Sequence, residues 1–91
     1  MTALDTRFAV RVMVTDVWDQ VFLAVEPTMT VAELKRQALA QALKRAPVRP
    51  EDYIVKFRGA QVLDESTTLL ALGVVPNSAL IVLPARRRAV R

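Results

Sequence analysis

Several stretches of this chain alternate apolar and polar residues one by one, and another repeats its apolar residues with the period of a helix. In FAVRVMVT, Phe8, Val10, Val12 and Val14 fall on one side and Ala9, Arg11, Met13 and Thr15 on the other. A period of two is that of a half-buried strand. VFLAVEP (Val21 to Pro27) alternates in the same way through Val21, Leu23 and Val25, and its proline ends the run. The intervening DVWDQ lacks the Asn-Gly or Asp-Gly of the tightest turns but is short and polar, so the two runs predict an antiparallel hairpin.

TMTVAELKRQALAQALKRAP follows a different period. Thr30 is a good N-cap, and Glu33 three residues later completes the pattern of a capping box. Val31, Leu34, Ala38, Leu39, Ala42 and Leu43 share one broad face at helical spacing. Lys44 and Arg45 are expected in the last turn, where the helix dipole favours cations, and Pro47 and Pro50 stop the helix. YIVKFRG (Tyr53 to Gly59) predicts a third strand, with Val55 and Phe57 opposed to Ile54, Lys56 and Arg58. AQVLDEST suggests a short strand, TLLALGV a tight helical turn and PNS a turn, before ALIVLP (Ala79 to Pro84) closes the series as a strand. Two strands, a helix, two more strands, a helical turn and a final strand make an α+β order. A helix crossing one face of a mixed four- to five-stranded sheet after an N-terminal hairpin is the β-grasp arrangement. The folded unit is expected over 7–84, with an N-terminal extension over 1–6 and a flexible basic tail over 85–91.

Composition narrows the chemistry. Ninety-one residues, 53% of them hydrophobic and 24% charged, suit one globular domain. The chain has no cysteine and no histidine. That removes disulfides, thiolate nucleophiles, zinc sites of the usual nitrogen and sulfur type, and the imidazole of most acid–base catalysis. No enzyme activity and no cofactor is expected. No run approaches the roughly 18 apolar residues of a membrane span, and MTALDTRF shows no basic-then-apolar signal pattern, so a cytoplasmic location is expected. The net charge is +4, with thirteen cations against nine acids. Arg86, Arg87, Arg88 and Arg91 supply four of those cations, so the remainder balances at nine against nine. The leaning toward Ala, Val and Arg matches GC-rich coding and points to a bacterial source.

From about Val10 to Leu83 the chain resembles the ubiquitin-like superfamily. LAVEPTMTVAELK looks like the second strand and helix entry of ubiquitin, and FRGAQVLDESTTL like the exit of its third strand, with Gly59, Gln61, Leu63 and Leu69 in matching places. LGVVPNSALIVL resembles its final turn and strand. The helix and its exit loop are longer by about one helical turn, and one extra residue lies between Gln61 and Leu63. The family's conjugation chemistry needs a thin C-terminal Gly-Gly. Here the aligned stretch is Arg86, Arg87, Arg88 and Ala89, and no glycine follows Gly73. The resemblance therefore implies a non-conjugating protein–protein interaction module. The setting to which it points is the cytoplasmic component of a bacterial type VII secretion-like system. The rival from another class is a divergent bacterial modifier attached through an atypical C-terminus, and a weaker rival is nucleic-acid binding through the arginine tail.

The resemblance also implies a recognition patch on the sheet face opposite the helix. Lys56 occupies one of its positions and Leu83 another. Lys56 breaks the family's apolar pattern, but Ile54, Ile81 and Leu83 should still lie together, bordered by Lys56 and Arg58. Trp18, the single tryptophan, sits in the first hairpin turn, where it either anchors a partner or folds back on its own hairpin. Met13, Phe22 and Ala24 on the outer face of that hairpin would suit a weak self-contact. Lys35 lies inside the helix's apolar arc, and a structural ion pair with Glu65 or Asp64 is expected there, as the resemblance implies. The tail arginines suit an acidic protein surface or an anionic membrane, at about 1 kcal/mol per basic residue near anionic lipid. Nucleic acid is the poorer match, because the five aromatics are mostly committed to the core and leave no stacking platform.

Overall fold

The computed structural model describes residues 7–15, 17–43 and 49–85. Strand β1 (Phe8–Val14) runs antiparallel to β2 (Asp19–Val25), from Phe8 opposite Val25 to Val14 opposite Asp19. β2 therefore starts two residues earlier than its apolar alternation suggests. The connection is Thr15 to Trp18, with the Val17 and Trp18 N–H groups donating to the carbonyls of Val14 and Thr15. Val10, Val12 and Val14 on β1 and Val21, Leu23 and Val25 on β2 are buried, which sets the register: a one-residue slip would expose them all.

Helix α1 (Val31–Ala42) packs across this sheet through Val31, Leu34, Ala38 and Leu39. Four N–H groups at a helix start lack an intrahelical partner or have only the first one, and here each is accounted for. Val31 donates to the Thr67 carbonyl, Ala32 to the Glu65 carbonyl, Glu33 to the Thr30 hydroxyl and Leu34 to the Thr30 carbonyl. The capping box is only half made, because the Glu33 carboxylate turns forward to Arg36 and Gln37. Leu43 leaves helical geometry at φ −116° and ψ 52° and packs against the core, and the described helix ends at Ala42. Lys44 and Arg45, expected in the last turn, lie outside the described residues.

A 3-10 turn (Pro50–Asp52) leads into β3 (Tyr53–Phe57), which pairs antiparallel with the two-residue β4 (Ala60–Gln61). Arg58 at φ 56° and Gly59 at φ 82° form the turn between them. Two successive positive φ values twist a two-residue hairpin turn the way its strands twist, so the strand expected to reach Gly59 stops at Phe57. The short helix α2 (Leu69–Leu72) is capped by the Thr68 hydroxyl and closed by Gly73 in the left-handed region at φ 96°. β5 (Ala79–Pro84) then lies parallel to β1 and antiparallel to β3, giving the sheet order β2-β1-β5-β3-β4. The Ala85 N–H donates to the Asp52 carbonyl at 2.8 Å, one residue into the segment assigned from sequence to the tail.

Val62 is buried and its N–H donates to the Val55 carbonyl, while the neighbouring Leu63 is 84% exposed. The core position after β4 thus belongs to Val62. Leu63, matched to the family from sequence, points to solvent.

Candidate protein interface on the outer sheet face

The face of the sheet away from α1 is built by alternation. Each strand that sends valine or leucine inward sends the intervening residue outward. Those outward positions are Ala9, Arg11 and Met13 on β1, Gln20, Phe22 and Ala24 on β2, Ile54 and Lys56 on β3, and Ala79, Ile81 and Leu83 on β5. Strand register assembles them into rows. Ile54 stands opposite Leu83, Ile81 lies between Met13 and Lys56, and Arg11 lies between Phe22 and Ala79. Ile54, Ile81, Leu83 and Met13 form one aliphatic field, in which Ile81 is 41% exposed and the others half-buried. None of the outward strand residues is a carboxylate, whereas Arg11 and Lys56 are cations. The face is apolar at its centre and positive where it is charged.

Arg58 does not join this rim. The turn that takes it out of β3 brings its guanidinium 5.1 Å from the ring centroid of Phe57, a buried residue with the same parity as Val55. The second cation of the face is Arg11 instead. Its Nη2 donates to the Asn77 carbonyl at 3.3 Å, and its Nε is covered without a protein partner among the described residues. Parity in β1 already put Arg11 on this side, but its place beside Ala79 depends on the parallel β1–β5 register, which no local pattern encodes.

Trp18 stands at the tip of the β1–β2 hairpin with φ 49° and is 78% exposed, so its ring does not fold back onto the hairpin. The Thr15 N–H donates to the Val82 carbonyl, so the hairpin tip stands at the same end of the sheet as Leu83 and Ile54, on the β2 side of them. Lys35 and Glu65 are brought together on the other side of the sheet. The Lys35 Nζ is 2.6 Å from Glu65 Oε1 and donates to the Tyr53 carbonyl at 2.9 Å. Because the Glu65 carbonyl also accepts from Ala32, this residue ties both the entry and the buried flank of α1 to the loop before α2. Asp64 turns instead to Ser66, whose hydroxyl and backbone N–H hold its carboxyl below the ordinary range. Arg86, Arg87, Arg88 and Arg91 lie outside the described residues. Among those described, no three acidic side chains cluster closely enough to hold a metal ion, and no helix is long and apolar enough to cross a membrane.

Comparison with solved structures decides the fold. Ubiquitin from Caldiarchaeum subterraneum superposes with a TM-score of 0.71 at 19% identity, over 91% of this chain and 99% of that one. The fold is ubiquitin-like. The ubiquitin-like domain of an Arabidopsis thaliana protein gives a TM-score of 0.73 at 21% identity, over 99% and 90% of the two chains. A de novo design based on ubiquitin gives 0.75 at 21% identity, over 94% and 98%. No protein-family model and no curated protein matches the sequence. At these identities the shared property is the ubiquitin-like backbone, and the outer-face side chains have to be read on their own chemistry.

Proposed function

We propose that this ubiquitin-like chain is a non-catalytic protein-interaction module that docks a protein partner on its outer sheet face, around Ile54, Ile81 and Leu83. One observation carries the reading: the β3–β5 register sets Ile54 against Leu83 and Ile81 against Lys56. That arrangement joins an aliphatic field to cations, with no carboxylate among the outward strand residues. Desolvating the three aliphatic side chains supplies the affinity, and Lys56 and Arg11 orient a partner that carries acidic groups around an apolar anchor. Lys56 beside Ile81 also selects against partners built for an uninterrupted apolar patch, since it would be desolvated there without a counter-charge. Lys35 and Glu65 belong to the scaffold that holds the sheet, not to the surface. Trp18 extends the surface at the β2 end. The arginine tail is read as an accessory that strengthens contact with an acidic surface or an anionic membrane, and the biological setting as the cytoplasmic side of a bacterial type VII secretion-like system.

The test is affinity capture from native lysate with three baits: the full chain, a chain ending at Pro84 and the Ile81→Asp variant. A discrete non-covalent partner should be retained by the first two and lost by the third, which should stay folded with a somewhat lower melting temperature. Mass-shifted covalent adducts that vanish on truncation would replace this reading with a modifier. Nucleic acid captured with a steep salt dependence by the full chain alone would replace it with tail-driven binding.

A further inference from the structure

Among the described residues the sheet ends on β2, which is paired on one side only. All seven of its residues stand opposite β1 residues, while the other sheet edge, β4, is two residues long. A free edge is a row of unpaired N–H and C=O groups, and proteins usually guard it with lysine, proline, a bulge or a covering segment. Asp19 to Val25 contains no lysine, no proline and no glycine, and its one charged residue, Asp19, stands at the end of the strand rather than in its middle. Its pairing with β1 runs without a bulge, and no backbone group of 19–25 bonds outside that hairpin among the described residues. Phe22 stands at the middle of the strand and is 61% exposed on the outer face.

We propose that β2 is a self-pairing edge: two copies of this chain join β2 to β2 antiparallel, about a two-fold axis through Phe22, into one continuous sheet. The register follows from parity and length. Inward residues must meet inward residues, so the numbers of each opposed pair sum to an even value, and only the sum 44 opposes all seven residues of the strand. Phe22 then meets Phe22 of the second copy, Gln20 meets Ala24, Val21 meets Leu23 and Asp19 meets Val25. No like charges come face to face, and Val21 and Leu23 continue the buried layer of each copy into the other. The Phe22 pair lies between the two copies' Arg11 side chains, since Arg11 is opposite Phe22 within each copy. A second copy is favoured over an open chain of copies because each molecule offers one long edge. Its two-fold pairing uses that edge up, and β4 is too short to propagate a head-to-tail array. The edge lies away from Ile54 and Leu83, so the pairing leaves that field open.

Sedimentation velocity over a concentration series, with hydrogen exchange of β2 at its two ends, tests the proposal on the full chain. The apparent mass should rise toward twice that of the chain, and β2 amides should gain protection with concentration while those of α1 do not change. Phe22→Lys puts two like charges on the axis at an exposed position, and should weaken self-association by roughly tenfold or more, with the melting temperature unchanged at concentrations where both proteins are monomeric. A charge pattern reads the register itself. The Q20E/A24K double variant sets opposite charges across both symmetry-related pairs and should still associate, whereas Q20K/A24K sets like charges there and should stay monomeric. A wild-type chain that remains monomeric throughout overturns the proposal. So does self-association without β2 protection, or one in which the two double variants behave alike.

Discussion

Replacing Glu65 by alanine should cost more stability than replacing Lys35 by methionine, although both break the same ion pair. The Lys35 side chain is 4% exposed and that of Glu65 26% exposed, so the burden of burial is unequal. Glu65→Ala leaves a buried ammonium with the Tyr53 carbonyl as its one remaining hydrogen-bond acceptor. An uncompensated buried charge typically costs 3–5 kcal/mol; with water able to enter the space Glu65 vacates, about 2 kcal/mol is expected here. For a domain of this size that lowers the melting temperature by roughly 8–16 °C. Lys35→Met removes the charge but keeps a straight chain of similar length against Leu34, Leu39 and their neighbours, and leaves Glu65 able to turn to water. Its cost should stay within about 1 kcal/mol. The K35M/E65A double variant should therefore be more stable than E65A alone. Urea unfolding of the four proteins measures the cycle directly. A double variant less stable than either single one, with additive costs, would show that the pair is not held by the burial of Lys35.

Three further outcomes follow from particular residues. Leu69→Ala removes a fully buried side chain between α2 and the sheet and should cost about 2–5 kcal/mol in urea unfolding. Arg58→Asn gains a residue that tolerates the left-handed region at φ 56° but gives up the guanidinium over the Phe57 ring, so its net effect should stay within about 0.5 kcal/mol of zero, whereas Gly59→Ala at φ 82° should lower stability by about 1 kcal/mol even though its Cβ would meet open space. The carboxyls of Glu33, held low by hydrogen bonds from Arg36 and Gln37, and of Asp64, held low by Ser66, bind fewer protons folded than unfolded through the acid range. Their contribution is present above the ordinary carboxylate pKa near 4 and lost as pH falls through the lowered folded values, so stability should drop on acidification there, less steeply in E33Q/D64N.

How much of this was legible in sequence depended on how local each determinant was. β1, β2, β5 and α1 were readable because their apolar residues repeat with a single period and their ends are marked, as by Thr30. The boundaries that slipped were those set by partners far along the chain. Arg58 reads as a strand residue until β4 is seen to need a turn with two positive φ values. Leu63 and Val62 are chemically alike, and only the Val62 N–H to Val55 bond decides which of them enters the core. Glu33 fits a capping box, but Arg36 and Gln37 stand one turn ahead and take its carboxylate. The outer face was readable in part for the same reason. Alternation put Ile54, Ile81 and Leu83 outward, whereas Arg11 joins them only through a parallel strand pair with partners some seventy residues apart in sequence, Arg11 with Ala79.

Site-specific photo-crosslinking in the native host asks whether function resides on that outer face. A crosslinker at Ile81 and a second at Arg36, on the exposed side of α1, are compared in the full chain. One discrete protein adduct is expected from position 81 and none from position 36, with the adduct persisting in a chain that ends at Pro84. An adduct from position 36 alone, or one lost with the tail, would contradict that placement of function.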